Sequence, residues 1–433
     1  MLDPRLNRIG QISAQDRKVE NLACLINVDS LRHIHRCMDG KKATGIDQVD
    51  KESYKENLEE NLNSLVNRMK NMGYYPHPSR RVYIDKPGSN KKRPLGISCY
   101  EDKIVEKAVA EILTAVYEPK FMDFSYGFRP GRSCHQAISE VVSHIQCLTS
   151  YVVEADIRSF FDTLDHDWLM KMLEHDIADK RFLEIVRRFL KAGIMENGKF
   201  IEAESGSPQG NGASPVLANV YLHYVLDLWF EKAVKPHCKG EAYLCRYADD
   251  FVCTFQWKED AVRFYEALPK RFAKFGLSLA EEKTRIIEFG RFADKNRKRR
   301  GEGKPQTFDF LGFTFYCSVS SKETFLVKLK SSRKKVTSKL KKLSVWLKSN
   351  RDMKVSVMIK KLNRALVGYY NYYCVASNVH NVNVFLYQVV CLLFKWLNRR
   401  SQKRSYSWTQ FKELLKSCPL VMPVCKVNIY VAH

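Results

Sequence analysis

Two adjacent aspartates, Asp249 and Asp250, stand in the strand-like segment YLCRYADDFVCTF at residues 243–255. Neighbouring carboxylates raise each other's pKa and resist burial, so such a pair among apolar residues is typical of a site where a cation compensates the charge. The simplest geometry is a β-hairpin that carries residues 248–250 near its turn. Because aspartate is also a common turn residue, the pair alone leaves a plain polar turn as the alternative.

A third aspartate, Asp156, ends another apolar run, VVEADI at residues 152–157. If this run and the hairpin are neighbours in one sheet, the three carboxylates meet at its edge. Three aspartates can hold two divalent cations about 3.5–4 Å apart, the separation that two-metal phosphoryl transfer requires. We therefore predict a site for two Mg²⁺ ions, with Mn²⁺ as an alternative. One ion would activate a primer 3′-hydroxyl, and the other would stabilise the pyrophosphate leaving group.

The overall charge indicates a nucleic-acid partner. The chain has 433 residues with 72 lysines and arginines against 48 aspartates and glutamates, a net charge of +24. Such a charge repels itself unless an anionic partner compensates it. A membrane surface would also attract it, but the longest apolar stretch, residues 384–394, is shorter than the roughly 20 residues that cross a bilayer. We therefore expect nucleic acid and no membrane partner.

The N-terminal segment MLDPRLNRIGQ lacks the apolar core of a signal peptide, which predicts a cytoplasmic protein. In that reducing compartment the 13 cysteines are expected to be free thiols. No two of them form a C-x-x-C pair, so we predict no zinc site. The length exceeds the roughly 250–300 residues of a single hydrophobic core, which predicts at least two packed units.

The elements that position these residues follow from apolar periodicity. Helical spacing at residues 21–70 predicts a helical N-terminal layer, and two β-type runs at 80–97 predict a cationic hairpin followed by a helix at 101–116. Residues 151–315 alternate strand-like and helical runs, with a helical stretch at 166–192. This alternation is typical of an α+β sheet covered by helices.

Two later segments are strongly basic. Residues 291–304 are cationic and lack apolar periodicity, which predicts an exposed loop. Residues 322–361 contain 14 lysines and arginines against two acids, with apolar residues spaced along one helical face. We interpret them as a separate basic helical domain. A one-sign surface of this kind favours an RNA or DNA groove over an ordinary solvated face.

These blocks, in this order, resemble the reverse transcriptases, and among them the relatives of bacterial group II intron maturases. The resemblance extends over nearly the whole chain. It implies that Asp156, Asp249 and Asp250 form the catalytic triad of an RNA-directed DNA polymerase.

The resemblance also implies the domain order of a right-hand polymerase. A helical N-terminal extension and the start of the fingers would occupy residues 1–75, and α+β fingers and palm residues 76–318. A helical thumb or maturase domain would follow at 319–400, and a short basic segment at 401–433. This last segment lacks the paired cysteines and histidines of an H-N-H endonuclease, so we predict no second nuclease.

For the incoming nucleotide, the resemblance assigns five side chains. Lys86 and Arg93 of the fingers hairpin would contact the triphosphate. Gln209, in the block SPQG, would contact the nucleotide, and Phe161 would sit under its sugar and exclude a 2′-hydroxyl, which predicts DNA synthesis. Lys283, in the block GLSLAEEKT, would lie near the triphosphate as a general acid toward pyrophosphate, with a solvated lysine as the alternative.

For template and primer, the resemblance assigns five further residues. Arg129 and Arg132, around a glycine in the block SYGFRPGRSCHQAI, would hold the template backbone. Tyr247 would lie against the template or primer. Leu311 and Gly312, in the strand hairpin FDFLGFTF, would grip the primer end.

Aromatic residues in the same blocks are expected to divide between packing and binding. Phe128 and Ile138 are expected in the core. The tyrosines of the block RALVGYYNYYCVASN could stack on bases, although core packing is the better interpretation for at least half of them. These tyrosines are Tyr369, Tyr370, Tyr372 and Tyr373.

Three hypotheses on function follow. The first is an intron-encoded enzyme that binds its structured group II intron RNA, assists splicing and copies RNA from a primer at a DNA target with dNTPs. The second keeps the polymerase but places it in phage defence, CRISPR adaptation or DNA repair. The third is a non-catalytic RNA-binding splicing factor on a polymerase fold. Oligomeric state stays open.

Overall fold

The computed structural model describes residues 4–85, 92–207, 210–320, 322–401 and 405–430. Within them the chain combines helices with largely antiparallel sheets, which confirms the α+β class.

The chain begins with a helical layer that covers the first long buried helix. Its helices are α1 Pro4–Ala14, α2 Val28–Cys37, α3 Lys51–Lys55 and α4 Leu58–Lys70. Asn27 and Ser30 form a reciprocal capping box at the start of α2, and α4 buries an apolar stripe with helical spacing. The layer contacts α5, Tyr100–Tyr117, which is buried along most of its length.

The fingers sheet has the order β2-β1-β4-β5. Its hairpin strands are β1 Ser79–Asp85 and β2 Lys92–Ile97, and the apex between them lies outside the described residues. Besides α5, four helices and one palm strand intervene before its other two strands. These elements are α6 Cys134–Cys147, β3 Tyr151–Ala155, α7 Phe160–Thr163, α8 His166–Asp176 and α9 Lys180–Lys191, then β4 Ile194–Glu196 and β5 Lys199–Ile201.

The palm is a four-stranded antiparallel sheet of order β6-β7-β3-β8. A helix, α10 Ser214–Leu222, precedes it and continues through π-helical turns at His223–Asp227 and Phe230–Val234. The remaining palm elements are β6 Ala242–Tyr247, β7 Asp250–Phe255, α11 Lys258–Ala273 and β8 Arg285–Glu288.

The palm strands are apolar on both faces, because the sheet is covered on both sides. Val153, Phe251 and Cys253 belong to a core shared with the helices of fingers and palm. Val152 and Val252 belong to a second core with α6 and the sheet that follows. Burial of each large apolar side chain stabilises the fold by about 1.5–3 kcal/mol. This burial fixes the register of the strands that carry the aspartates.

Beyond the palm, a small sheet of order β11-β10-β9 leads into a helical bundle. The sheet follows α12 Ala293–Arg299 and contains β9 Phe308–Phe310, β10 Phe313–Val319 and β11 Phe325–Ser331. The bundle contains α13 Arg333–Ser349, α14 Val355–Tyr373, α15 Val379–Leu397 and α16 Trp408–Ser417. Its helices share a separate hydrophobic core.

Two expectations about the basic segments are wrong. Residues 291–304 contain the helix α12, whose cations are neutralised by ion pairs such as Arg297–Glu302 at 3.0 Å. The segment 322–361 is not helical throughout, because residues 325–331 pair with β10 as a strand. In the C-terminal segment, Phe411 is buried in the bundle and Ile429 in the palm core.

All 13 cysteines are free thiols, as predicted. One His–Cys–Asp group, which the sequence does not announce, brings His77, Cys99 and Asp102 together. Asp102 there accepts hydrogen bonds from the Tyr74 hydroxyl at 2.6 Å and the His77 N–H at 3.0 Å, and so anchors the chain before β1. The described helices include none that combines the length and apolarity that a bilayer crossing needs.

Candidate active site

The three aspartates converge at one end of the palm sheet. Ala155 pairs with Phe251, so the next residue, Asp156, lies beside Asp250 at the same end of neighbouring strands. Tyr247 pairs with Asp250 across the β6–β7 turn, where Ala248 adopts a left-handed conformation with φ of 57°. All three carboxylates line a cavity of about 1230 Å³.

The carboxylates of this cavity repel one another. Burial, with the charges of Asp249 and Asp156, raises the pKa of Asp250 to about 6. Burial and the charge of Asp156 also raise the pKa of Asp249, against the opposing effects of its own backbone amide and of Arg93. A group of oxygen ligands that resists ionisation in this way is suited to hard divalent cations, whose charge relieves the repulsion.

Lys283 supplies a cation at this cluster. Its ammonium contacts an Asp156 carboxylate oxygen directly, and this hydrogen bond raises the pKa of Lys283. Lys283 therefore stays charged, and it occupies a carboxylate that a metal ion would otherwise use. The sequence placed Lys283 near a triphosphate; the structure pairs it with Asp156 inside the cavity.

The aspartate turn rests on a buried arginine that the sequence interpretation missed. Arg246 is fully buried and makes a two-pronged ion pair with Asp227, with N–O distances of 2.7 and 2.5 Å. It also donates to the Asn219 side chain at 2.9 Å and to the Ala248 carbonyl at 3.1 Å. An arginine within an otherwise apolar strand was the available signal, because a buried charge requires a partner.

The loop before α6 packs against the same turn. The Tyr126 N–H donates to the Arg246 carbonyl at 2.8 Å, and the Arg246 N–H donates to the Phe124 carbonyl at 2.9 Å. Asn219 donates to the Gly127 carbonyl at 2.7 Å. A Cβ on Gly127 would lie 2.3 Å from the Ala248 nitrogen, so only glycine fits at this contact.

One expectation for this loop, the core position of Phe128, is wrong. Arg129 is buried and its guanidinium binds Glu118 at 2.9 Å and the Met122 and Ser125 carbonyls, so it braces the loop, and a template contact for Arg129 stays a prediction. Phe128 is 54% exposed and lines the aspartate cavity, so it is not a core residue. Ile138 is buried as expected. The apolar Phe128 is thus exposed and the charged Arg129 is buried. The backbone at Phe128 is left-handed, with a φ of 58°.

Arg132 lies outside the described lining of the cavity. It pairs with Asp123 at 2.6 Å and lies over the Tyr126 ring, with its side chain 28% exposed. A template contact for Arg132 stays a prediction.

The walls of the cavity bring fingers and palm together. Arg93 extends from β2, and Phe161 lies in the short helix α7 against Phe160. Of the other predicted nucleotide contacts, Lys86 and Gln209 lie outside the described residues.

The β9–β10 turn forms the far wall. Leu311 and Gly312 both have positive φ, and the Leu311 carbonyl accepts a hydrogen bond from the Tyr372 hydroxyl at 2.6 Å. Tyr373 lies against Gly312. These two tyrosines line the cavity together with Lys335 of α13, which the sequence interpretation did not single out.

The other two tyrosines of this block, which also lie in α14, have a packing role. Tyr369 and Tyr370 are each 6% exposed, and the Tyr369 ring stacks on Phe385 at 3.9 Å. This confirms the expectation that at least half of the four tyrosines pack in the core.

Three carboxylates at the end of an antiparallel sheet, below a basic β-hairpin and beside a basic helical bundle, define a right-hand polymerase with fingers, palm and thumb. Comparison with known families agrees. Residues 84–315 match the family model "Reverse transcriptase (RNA-dependent DNA polymerase)", and residues 333–414 match "Group II intron, maturase-specific domain". The chain belongs to the reverse transcriptases of the group II intron-encoded kind.

Individual proteins are also similar to this chain. The group II intron-encoded protein LtrA of Lactococcus lactis subsp. cremoris is 30% identical over 399 residues, covering 76% of this chain and 66% of the relative. Protein YkfC of Escherichia coli is 36% identical over 242 residues, covering 49% of this chain and 63% of the relative. The chain therefore spans just under two thirds of the length of these relatives.

Proposed function

We propose that the protein is an RNA-directed DNA polymerase that extends a DNA primer on an RNA template with dNTPs, and that it binds group II intron RNA and assists its splicing. The observation that carries the polymerase proposal is the convergence of Asp156, Asp249 and Asp250 in one cavity with Arg93 and Phe161.

In this proposal Asp156, Asp249 and Asp250 hold two divalent ions, Mg²⁺ in the cell and Mn²⁺ as a substitute. When bound, these ions supply activation of the primer 3′-hydroxyl and charge neutralisation at the pyrophosphate. Their fit rests on three carboxylates, two of which have pKa values raised by burial and by the neighbouring carboxylates.

The other cavity residues position the nucleotide. Arg93 faces the triphosphate from the fingers, and Phe161 lies under the sugar and excludes a 2′-hydroxyl. A triphosphate contact for Lys86 stays a prediction. Lys283 contacts Asp156, and its ammonium would be in place to give a proton to the leaving pyrophosphate. Leu311, Gly312 and Tyr247 line the side of the cavity proposed for the primer.

The basic thumb extends the nucleic-acid surface. A groove of about 1900 Å³ runs between the small sheet and the bundle, and its lining includes Lys330, Arg333, Lys334, Lys341 and Lys342. The helix α13 joins the two regions, because Lys334 lines this groove and Lys335 lines the aspartate cavity. We place the primer–template duplex and part of the intron RNA against it.

Primer extension on an RNA template with Mg²⁺ tests the proposal. Wild-type protein is expected to extend the primer, and Asp249→Ala to abolish extension while RNA affinity stays within about twofold. Asp29→Ala, an exposed carboxylate in α2, is the matched control and should extend normally. RNA binding without extension by wild-type protein would favour the non-catalytic splicing factor, and extension by Asp249→Ala would refute the metal assignment.

The host role is tested separately. Sequencing the RNA that copurifies with the protein is expected to yield a group II intron. Recovery of unrelated RNA by an active polymerase would favour the alternatives of phage defence, CRISPR adaptation or DNA repair.

A further inference from the structure

The described residues of the segment 205–213, which are 205–207 and 210–213, contact the elements that carry the palm and fingers walls of the cavity. On the palm side, the N–H groups of Gly206 and Ser207 donate to the Leu164 and Phe161 carbonyls, each at 2.7 Å. A Cβ on Gly206 would lie 2.8 Å from the Phe161 oxygen. This side of the segment is therefore fixed to the backbone that carries Phe161.

On the fingers side, the same segment meets β2 and α5. A Cβ on Gly210 would lie 2.6 Å from the Gly96 carbonyl oxygen, so the two backbones are in direct contact. The Gly212 N–H donates to Glu106 Oε2 at 2.9 Å, and Ser98 Oγ donates to Glu106 Oε1 at 2.5 Å. Glu106 thus joins the segment to the end of the strand that carries Arg93.

Glu106 is an unusual residue to hold this contact. It is 2% exposed, and its carboxylate has two hydrogen-bond donors, the Gly212 amide and the Ser98 hydroxyl. Lys103 stabilises the charge of Glu106 only from a distance, since its ammonium donates to the Ala43 carbonyl. A buried carboxylate costs several kcal/mol unless its charge is compensated, so a neutral glutamine would satisfy a purely structural role at lower cost.

We propose that Glu106 is a positioning residue for the incoming nucleotide, which acts by fixing Gly212 and the segment around it between the Phe161 and Arg93 walls. The inference rests on the proposed polymerase function. Its ionised form makes the stronger, charge-assisted hydrogen bond to the Gly212 amide, so the segment is best fixed when Glu106 is charged.

The charge state of Glu106 changes near neutral pH. Burial raises the pKa of Glu106 to about 7, against the opposing effects of its Gly212 and Ser98 hydrogen bonds. Below this pH the neutral acid accepts a weaker bond from Gly212, so the KM for dNTP should rise as the pH falls from 8 to 6. Charged or titratable neighbours are Asp102, Lys103 and Lys107 on its own helix and His33, Asp39 and Lys42 across a small cavity of about 330 Å³.

Steady-state primer extension at pH 6, 7 and 8 tests the proposal. Glu106→Ala is expected to raise the KM for dNTP about tenfold at pH 8, as loss of a hydrogen bond to a charged group implies, with kcat within about threefold. Glu106→Gln, which keeps the shape and an acceptor oxygen, should restore the KM to the wild-type value at pH 6 and remove its pH dependence.

Two control variants separate this effect from its surroundings. Glu111→Gln changes a half-exposed acid on the same helix, and His33→Gln removes a histidine that lines the same small cavity. Both should keep the wild-type pH profile of the KM. If His33→Gln flattened the profile, the titrating group would be the histidine and the proposal for Glu106 would be overturned.

The outcomes distinguish this inference from the polymerase proposal. If wild-type protein extends primers and Glu106→Ala keeps the wild-type KM, Glu106 has no positioning role while the polymerase function stands. If Glu106→Gln keeps the pH dependence, the ionisation argument is overturned. If wild-type protein extends no primer, the polymerase function itself fails.

Discussion

The aspartate turn lines the cavity, and the described part of the segment 205–213 contacts the elements that carry Phe161 and Arg93, but the two are held in different ways. The turn sits on a sheet that is buried on both faces, and Arg246 ties it down with four side-chain hydrogen bonds. The segment is held by backbone contacts on the palm side and chiefly by one acid, Glu106, on the fingers side. The metal ligands are thus rigidly placed, whereas the nucleotide wall depends on a titratable group.

The largest expected effect comes from removing Arg246, which holds the aspartate turn rigidly in place. Arg246→Met leaves Asp227 buried without a partner, so the free energy of unfolding should fall by about 3–5 kcal/mol. Urea denaturation measures this change. Lys416→Met, which removes an exposed pair with Glu413, is the control and should change it by less than about 1 kcal/mol.

A double variant separates stability from positioning. Arg246→Met with Asp227→Leu removes both charges and should recover most of the lost stability, while primer extension stays low because the bond to the Ala248 carbonyl is gone. Full recovery of extension would mean that the arginine does not position the turn.

A smaller effect is expected from displacing the turn without touching its charges. Gly127→Ala puts a methyl group against the Ala248 nitrogen and should lower kcat about a hundredfold, as misplacement by about 1 Å does in other enzymes. Gly131→Ala, in the same loop, meets no atom within 4 Å and should cost only the strain of its positive φ. Equal losses for the two variants would show that the Gly127 contact is unimportant.

The proposed role of Phe161, the aromatic residue of the nucleotide wall, is tested by removing its ring. Phe161→Ala should lower the preference for dNTP over rNTP at least tenfold, because the group proposed to exclude the 2′-hydroxyl is removed. Single-nucleotide incorporation with each substrate measures the ratio. Phe200→Ala, exposed at the edge of the fingers sheet, should leave it unchanged.

The smallest expected effect concerns the far wall. Tyr372→Phe removes the hydrogen bond to the Leu311 carbonyl and should lower the free energy of unfolding by about 1 kcal/mol. Activity should fall less than about threefold, because the ring still stacks on Phe313. Thermal unfolding and primer extension measure the two effects, and a large loss of extension would assign the hydroxyl a direct role.

Local patterns predicted the elements that carry the site. The apolar runs around Asp156 and Asp249 gave the strands, and the turn between β6 and β7 followed from the dipeptide they enclose. Contacts between residues that are far apart in the sequence could not be predicted from local patterns. Arg246 and Asp227 are 19 positions apart, and their contact depends on a π-helical turn that no periodicity indicates.

Loops and mixed-charge segments explain the errors. Phe128 is exposed instead of buried, in a loop where its own backbone is left-handed, and the sequence alone did not reveal this conformation. The strand β11 was predicted as part of a basic helical domain because it comes just before the basic helix α13. The alternation of apolar and charged residues in FLVKLKS is in fact that of a strand. The helix α12 was missed because its ion pairs, not apolar spacing, stabilise it.

The most direct test is a crystal structure of the protein with an RNA–DNA primer–template, a non-hydrolysable dNTP and Mn²⁺, with anomalous scattering used to locate the metal. We expect two Mn²⁺ peaks about 3.5–4 Å apart that Asp156, Asp249 and Asp250 would hold, with Lys283 turned from Asp156 to the triphosphate. Peaks elsewhere, or Lys283 still on Asp156 with the nucleotide bound, would contradict the assignment of these three carboxylates as the metal site.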